Sequence, residues 1–143
     1  MEKELKNSKA KVNIIVSSIQ VLAEEHRFEK WANHPTDRAR LFDLLINTQL
    51  KNTIIVSGDR HIGELSRIDL EGFGMLTEIT SSGLTHAYTS FSGETNSHRI
   101  GNPQPVLNFG IIDIDWDISS PTITLALRGK RNKSLELFEM SIN

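Results

Sequence analysis

Asp59 and His61 place a carboxylate and an imidazole on either side of a guanidinium, Arg60. An acid and an imidazole two positions apart can ligate one metal ion. In extended backbone, residues i and i+2 point to the same side, so both donors would converge on a single point. Arg60 would then point the other way or towards an anion. The stretch that carries them reads Ile54-Ile55-Val56-Ser57-Gly58-Asp59-Arg60-His61. Its apolar run, bounded by glycine, fits a strand covered on both faces. In open α/β sheets, ligands bind just beyond the carboxyl ends of such strands. The same residues also fit a plain strand-to-loop turn, in which Asp59 caps a backbone amide and His61 is a surface residue, because Asp-x-His is short and common.

The other groups with chemistry are dispersed. The histidines are His26, His34, His61, His86 and His98, mostly in loops or after strand ends, where sites collect. None shows the His-Glu-x-x-His spacing of a helical zinc site. Asp113, Asp115 and Asp117 lack the downstream Gly and Glu of a calcium loop and read as the solvated face of a strand. Ser57 is not in a Gly-x-Ser-x-Gly elbow. Ser17-Ser18 and Ser81-Ser82-Gly83 offer hydroxyls and amides to an oxyanion, or simply cap strands. Arg38 and Arg40 read as surface or packing residues.

The elements that must hold these groups follow from periodicity. Residues 12–19 form a first apolar strand centred on Ile14, Ile15 and Val16. His34-Pro35-Thr36-Asp37 opens a helix, with Pro at its first position and an acid in its first turn. Ala39, Phe42, Leu45 and Ile46 form its apolar stripe, widened by Leu41 and Leu44. Residues 53–57 form the second strand, which completes a βαβ unit with parallel strands. Residues 65–70 and 75–80 are short strands joined by Glu71-Gly72-Phe73-Gly74. Residues 87–105 show no element, and loops of that length are commonly functional. Residues 106–116, 121–127 and 134–142 alternate as an antiparallel meander, with Ile112, Ile114 and Trp116 on the buried face of the first. Trp31 reads as a packing anchor. Residues 1–11 read as a polar lead-in and residues 12–143 as one domain.

Bulk composition narrows the classes. The 143 residues suit one core-bearing domain, and 16 Lys+Arg against 18 Asp+Glu leave a formal net charge of −2. That balance gives no electrostatic case for nucleic acid or an anionic membrane. The sequence has no cysteine, which rules out disulfides, thiolate zinc sites and cysteine nucleophiles. No run of apolar residues is long enough to span a membrane. The charged first residues lack the apolar core of a signal peptide. As encoded the chain would be cytoplasmic, and the sequence leaves its localisation open.

Several blocks together resemble the alkaline phosphatase D-like (PhoD-like) metallophosphatases of the calcineurin-like metallophosphoesterase superfamily. They are Val16-Ser-Ser-Ile-Gln20; Glu29-Lys-Trp31 with Pro35 and Arg38-x-Arg-Leu41; Val56-Ser-Gly-Asp-Arg-His61 with Glu64-Leu65; and Glu78-Ile-Thr-Ser-Ser-Gly-Leu-Thr-His86. The resemblance runs over nearly the whole chain, and Ser-Gly-Asp-Arg-His is its most specific piece. It implies an α/β fold: the C-terminal part of a β-sandwich flanked by helices, a βαβ unit followed by an antiparallel meander. It implies a metal-dependent phosphoester hydrolase acting on a small phosphoester, with Asp59 and His61 as metal ligands and Arg60 or His86 against the phosphate. Oxygen and imidazole donors suit iron, calcium, manganese or zinc. The family's early Asp-rich and Asn-His motifs are absent from this sequence, so the resemblance also implies missing ligands. Three readings remain open: an incomplete enzyme, an inactive remnant, or a subunit that completes its site with a separately encoded N-terminal half or as a homo-oligomer. Relatives in the family are often exported.

Overall fold

The structure, a computed structural model, describes residues 1–117 and 119–142. The last residue of the expected domain, Asn143, and Ile118 lie outside the described residues. The fold is mixed α/β with two packed sheets. The elements are α1 (Glu2–Asn7), β1 (Asn13–Val16), α2 (Pro35–Thr48), β2 (Thr53–Ser57), β3 (Gly63–Leu70), β4 (Gly74–Ser81), β5 (Arg99–Gln104), β6 (Asn108–Asp115), β7 (Thr122–Gly129) and β8 (Ser134–Ser141). One sheet has the order β1-β2-β4-β3-β5 and the other β6-β7-β8. β1 and β2 pair in parallel around α2, as the βαβ pattern predicts.

The chain then skips a place. β4, not β3, lies parallel beside β2, and β3 runs antiparallel on the far side of β4. The carboxyl ends of β1, β2 and β4 therefore emerge on one edge, with Val16 opposite Val56 and Ser57 opposite Thr80. Three loops meet there: residues 17–20, 58–62 and 82–88.

Alternation along the strands builds two cores. Ile15, Ile55 and Leu76 face the helices with Val21, Leu22, Leu41, Leu45 and Phe73. Ile54, Leu65 and Ile79 face the second sheet, where Ile123, Leu125 and Leu127 are fully buried. Leu5 of α1 also packs into the helix-side core. Burial of this kind stabilises by roughly 1.5–3 kcal/mol per large side chain.

The structure corrects four expectations. The first strand covers only Asn13–Val16, because the chain leaves the sheet at Ser17, whose hydroxyl donates to Ile19 O at 2.7 Å. Ala39 is exposed, since at about 100° per residue it sits roughly 160° around α2 from the buried Leu41. Trp116 is 49% exposed because β6 stops at Asp115, whose carboxylate accepts Asp117 N–H in a turn. Residues 87–105 do contain an element, β5. It escapes a periodicity argument because Gly101 (φ +65°) and Pro103 interrupt it, and both are tolerated on an edge strand. Glu136 of β8 holds this irregular strand by accepting from Asn102 N–H and Gln104 Nε2 at 3.3 Å each.

Gly83 marks where the loop after β4 crosses the start of β6. Its carbonyl accepts Asn108 N–H at 3.0 Å, and Asn108 Nδ2 donates to Val106 O at 2.8 Å. A Cβ on Gly83 would collide with the Asn108 amide and stand 2.8 Å from Val106 O. Gly83→Ala is expected to lower stability by about 1–3 kcal/mol in urea unfolding. Leu84→Ala next to it, at a site 72% exposed, should stay within about 0.5 kcal/mol of the parent.

Candidate metal corner

β2 ends at Ser57, and Gly58–Ile62 turn sharply into β3. Arg60 N–H donates to Gly58 O at 2.8 Å, closing a three-residue turn centred on Asp59. Asp59 has φ 66° and His61 φ 55°, both left-handed and both costly for residues with a side chain. This stretch is therefore not extended backbone, and the i, i+2 convergence expected of Asp59 and His61 does not apply. Two left-handed residues, not a strand's alternation, leave the Asp59 and His61 side chains exposed while Arg60 between them is 5% exposed.

His86 comes to this corner from the loop after β4. Its ring stands edge-on to that of His61, with centroids 5.0 Å apart and planes at 77°. Tyr88 N–H donates to His61 O at 2.8 Å, and Ser82 N–H donates to Ile62 O at 3.2 Å, so the two loops are tied by backbone. Asp59, His61 and His86 thus gather on one rim. His26, His34 and His98 lie elsewhere: His34 at the start of α2, His98 with Nε2 3.5 Å from Glu24. Among the described residues, no group of three or more His, Cys, Asp or Glu is arranged to hold a metal ion. Asp59 and His61 supply donors of the right chemistry for a divalent or trivalent ion, but a coordination shell needs further donors.

Arg60 points beneath the rim into a cage. Nε donates to Gln20 Oε1 at 3.2 Å, Nη2 pairs with Glu94, and the guanidinium lies 4.4 Å over the Phe28 ring. Tyr88 packs edge-on against both Phe28 and Phe91. Gln20 Nε2 in turn donates to Glu64 Oε1 at 3.1 Å and Thr80 Oγ1 at 2.9 Å. Glu64, 2% exposed, is neutralised by Arg99 Nε at 2.8 Å and also accepts from Asn96. Glu78 is wholly buried, and its oxygens accept Val21 N–H at 2.9 Å and Leu22 N–H at 2.7 Å. Burial pushes the Glu78 carboxyl up, against the hydrogen bonds that favour its charged form.

Gln20, Glu64 and Glu78 stand in the resembling blocks, but neither periodicity nor spacing joins them into this polar floor. Its signal was present: Glu64 opens one strand and Glu78 interrupts the apolar run of another. A carboxylate inside a buried strand must be satisfied, and that requirement points to a network.

No family model matches this chain, and no curated protein matches it. Solved structures do match: a structure of PhoD superposes with a TM-score of 0.71 at 13% sequence identity, covering 99% of this chain and 32% of that one. The chain therefore spans about a third of the length of that structure. No helix among the described residues is long and apolar enough to cross a membrane.

His26 sits beside this cage, 5% exposed. Its Nδ1 accepts Phe28 N–H at 3.2 Å, and its Nε2 is buried with no partner among the described residues. Burial, then the charges of Arg60 and Lys30, pushes its pKa from 6.5 down to about 4. The unfolded chain therefore binds this proton first. The stability from neutral His26 is fully present above pH 6.5 and is lost as the pH falls towards 4. Glu78 acts with the opposite sign, because its raised pKa makes the folded chain take up a proton first. The difference between the parent and His26→Gln isolates the imidazole. Across that window the parent is expected to lose roughly 3 kcal/mol relative to the variant in urea unfolding. Parallel pH profiles would refute this.

Nearly all of this chain shares the fold of about a third of a PhoD structure, at an identity of 13%.

Proposed function

We propose that this chain is the C-terminal part of a metal-dependent phosphoester hydrolase of PhoD-like kind, acting on a small phosphoester. The observation that carries the reading is the exposed Asp59–His61 pair at the carboxyl end of a parallel strand, within a PhoD-like fold. Asp59 and His61 would hold the ion, which could be iron, calcium, manganese or zinc. When bound, such an ion polarises the phosphoryl oxygen and lowers the pKa of a bound water. His86, whose ring meets that of His61, would contact the phosphate.

Arg60 takes a different part. A phosphate reaching its guanidinium would have to displace Glu94 and enter a site that is closed to solvent. Arg60 is therefore read as a positioning residue that holds the left-handed turn from beneath. The remaining donors come from outside the rim, supplied by a separate N-terminal half or a second copy. An inactive remnant is the other outcome the experiment can return.

The test is metal content after incubation with iron, calcium, manganese or zinc, beside hydrolysis of p-nitrophenyl phosphate and its bis ester. Asp59→Ala and His61→Ala are each expected to weaken metal affinity by about 100-fold or more, above the effect of losing an outer-shell partner. Arg60→Lys should lower the unfolding midpoint while leaving affinity within about tenfold, because Lys cannot reproduce the planar contacts to Gln20, Glu94 and Phe28. Unchanged metal content in both alanine variants would sink the ligand assignment. A parent chain with neither metal nor activity would mark a remnant.

A further inference from the structure

The second sheet gives only one of its faces to the core. Ile112 and Ile114 of β6, Leu125 and Leu127 of β7, and Phe138 and Met140 of β8 turn towards the larger sheet. By alternation Ile111, Ala126 and Leu137 turn the other way, and the register sets them in one row across the three strands. Ile111 is 37% exposed and Leu137 53%, with Ala126 buried between them. The ends of this face carry opposite charge. At one end Asp113 and Glu139 flank Thr124, and Asp115 follows Asp113 on the same side of β6. All three acids are exposed. At the other end Arg128 turns outward beside Phe109, and Lys130 and Lys133 follow in the turn into β8. Among the described residues none of these acids or cations has an ion-pair partner. The Nε of Arg128 is buried without an acceptor, a state that costs free energy until one arrives.

We propose that this face pairs with the same face of a second copy of this chain, about a twofold axis that crosses the strands at the Ile111–Ala126–Leu137 row. A twofold contact must be self-complementary, since every pairing is made twice. An axis across the strands reverses their direction and lays the acidic end of one copy on the basic end of the other. The Arg128 row then faces the Thr124 row, so the Arg128 guanidinium arrives between the partner subunit's Asp113 and Glu139. At the axis Leu137 meets Leu137 of the partner subunit, and Ile111 likewise meets its own counterpart. An axis along the strands would lay acid on acid instead. Charge therefore selects both the occupant and its orientation. Strands about 4.8 Å apart and about 27 Å long give three of them a face on the order of 400 Å² per copy. A standard stable interface takes about 800 Å² from each partner, so this dimer is weak and sensitive to salt. The pairing is independent of metal at the Asp59–His61 rim.

The experiment is sedimentation of the full chain from micromolar to millimolar concentration. A monomer–dimer equilibrium is expected, weakened about tenfold or more between about 50 mM and about 500 mM salt, as the Debye length falls about threefold. Leu137→Lys and Leu137→Glu should each be monomeric alone and associate again when mixed, because the axis sets this position against itself. The site is exposed and accepts either charge without unfolding. Asp113→Lys combined with Glu139→Lys, at two exposed sites, tests the orientation. Traced by a fluorophore on its amino terminus, this variant should form no mixed dimer with the parent chain, because its lysines meet Arg128. A mixed dimer there would mean that acid faces acid, and overturns the proposal. A parent chain that is monomeric throughout leaves the face to another occupant and also overturns it. So does a dimer that survives both Leu137 variants, or a failure of the two to associate on mixing.

Discussion

One buried carboxyl group supports much of the rest. Glu78 stands in the middle of β4 with no solvent contact, and its oxygens take the backbone N–H groups of Val21 and Leu22. The carbonyls of the same two residues are taken by Arg38 of α2, at 2.8 Å and 3.1 Å. The segment between β1 and α2 is thereby fixed on both sides, by a strand beneath and a helix beside it. Without Glu78 two amides would be buried without partners, a larger penalty than the net gain of making the bonds. The same segment supplies Gln20, His26 and Phe28, which surround Arg60. The conformation of the Asp59–His61 turn thus depends on a carboxylate on another strand.

This arrangement separates two jobs. The floor is buried and hydrogen-bonded: Glu64 pairs with Arg99, Glu94 with Arg60, and Gln20 bridges Glu64 and Arg60. The rim is exposed, with Asp59, His61 and His86 open to solvent and the two imidazoles in edge-on contact. In the proposed metal-binding reading, exposed donors above a hydrogen-bonded floor would be oriented without being consumed by internal bonds.

The sheet is asymmetric in the same sense. At one end β5, with its glycine and proline, is clamped by Glu136 of the second sheet. At the other end β1 exposes Ile14 and Val16 and, among the described residues, pairs only with β2.

The sequence by itself determined the local elements. The βαβ unit, the glycine-ended strand at Thr53–Ser57 and the meander all follow from the period of apolar residues, a property each segment carries alone. It also singled out Asp59, Arg60, His61 and His86 as the residues worth watching. Tertiary structure alone decided that β4 sits beside β2, which brings His86 to His61. It alone decided that Arg60 turns inward onto Phe28, and that Asp59 and His61 adopt left-handed backbone. The physical reason is that strand order, long-range pairing and the satisfaction of buried charge are set between distant segments. Glu78 meets Val21 only when the sheet has closed, and no window of neighbouring residues contains that contact.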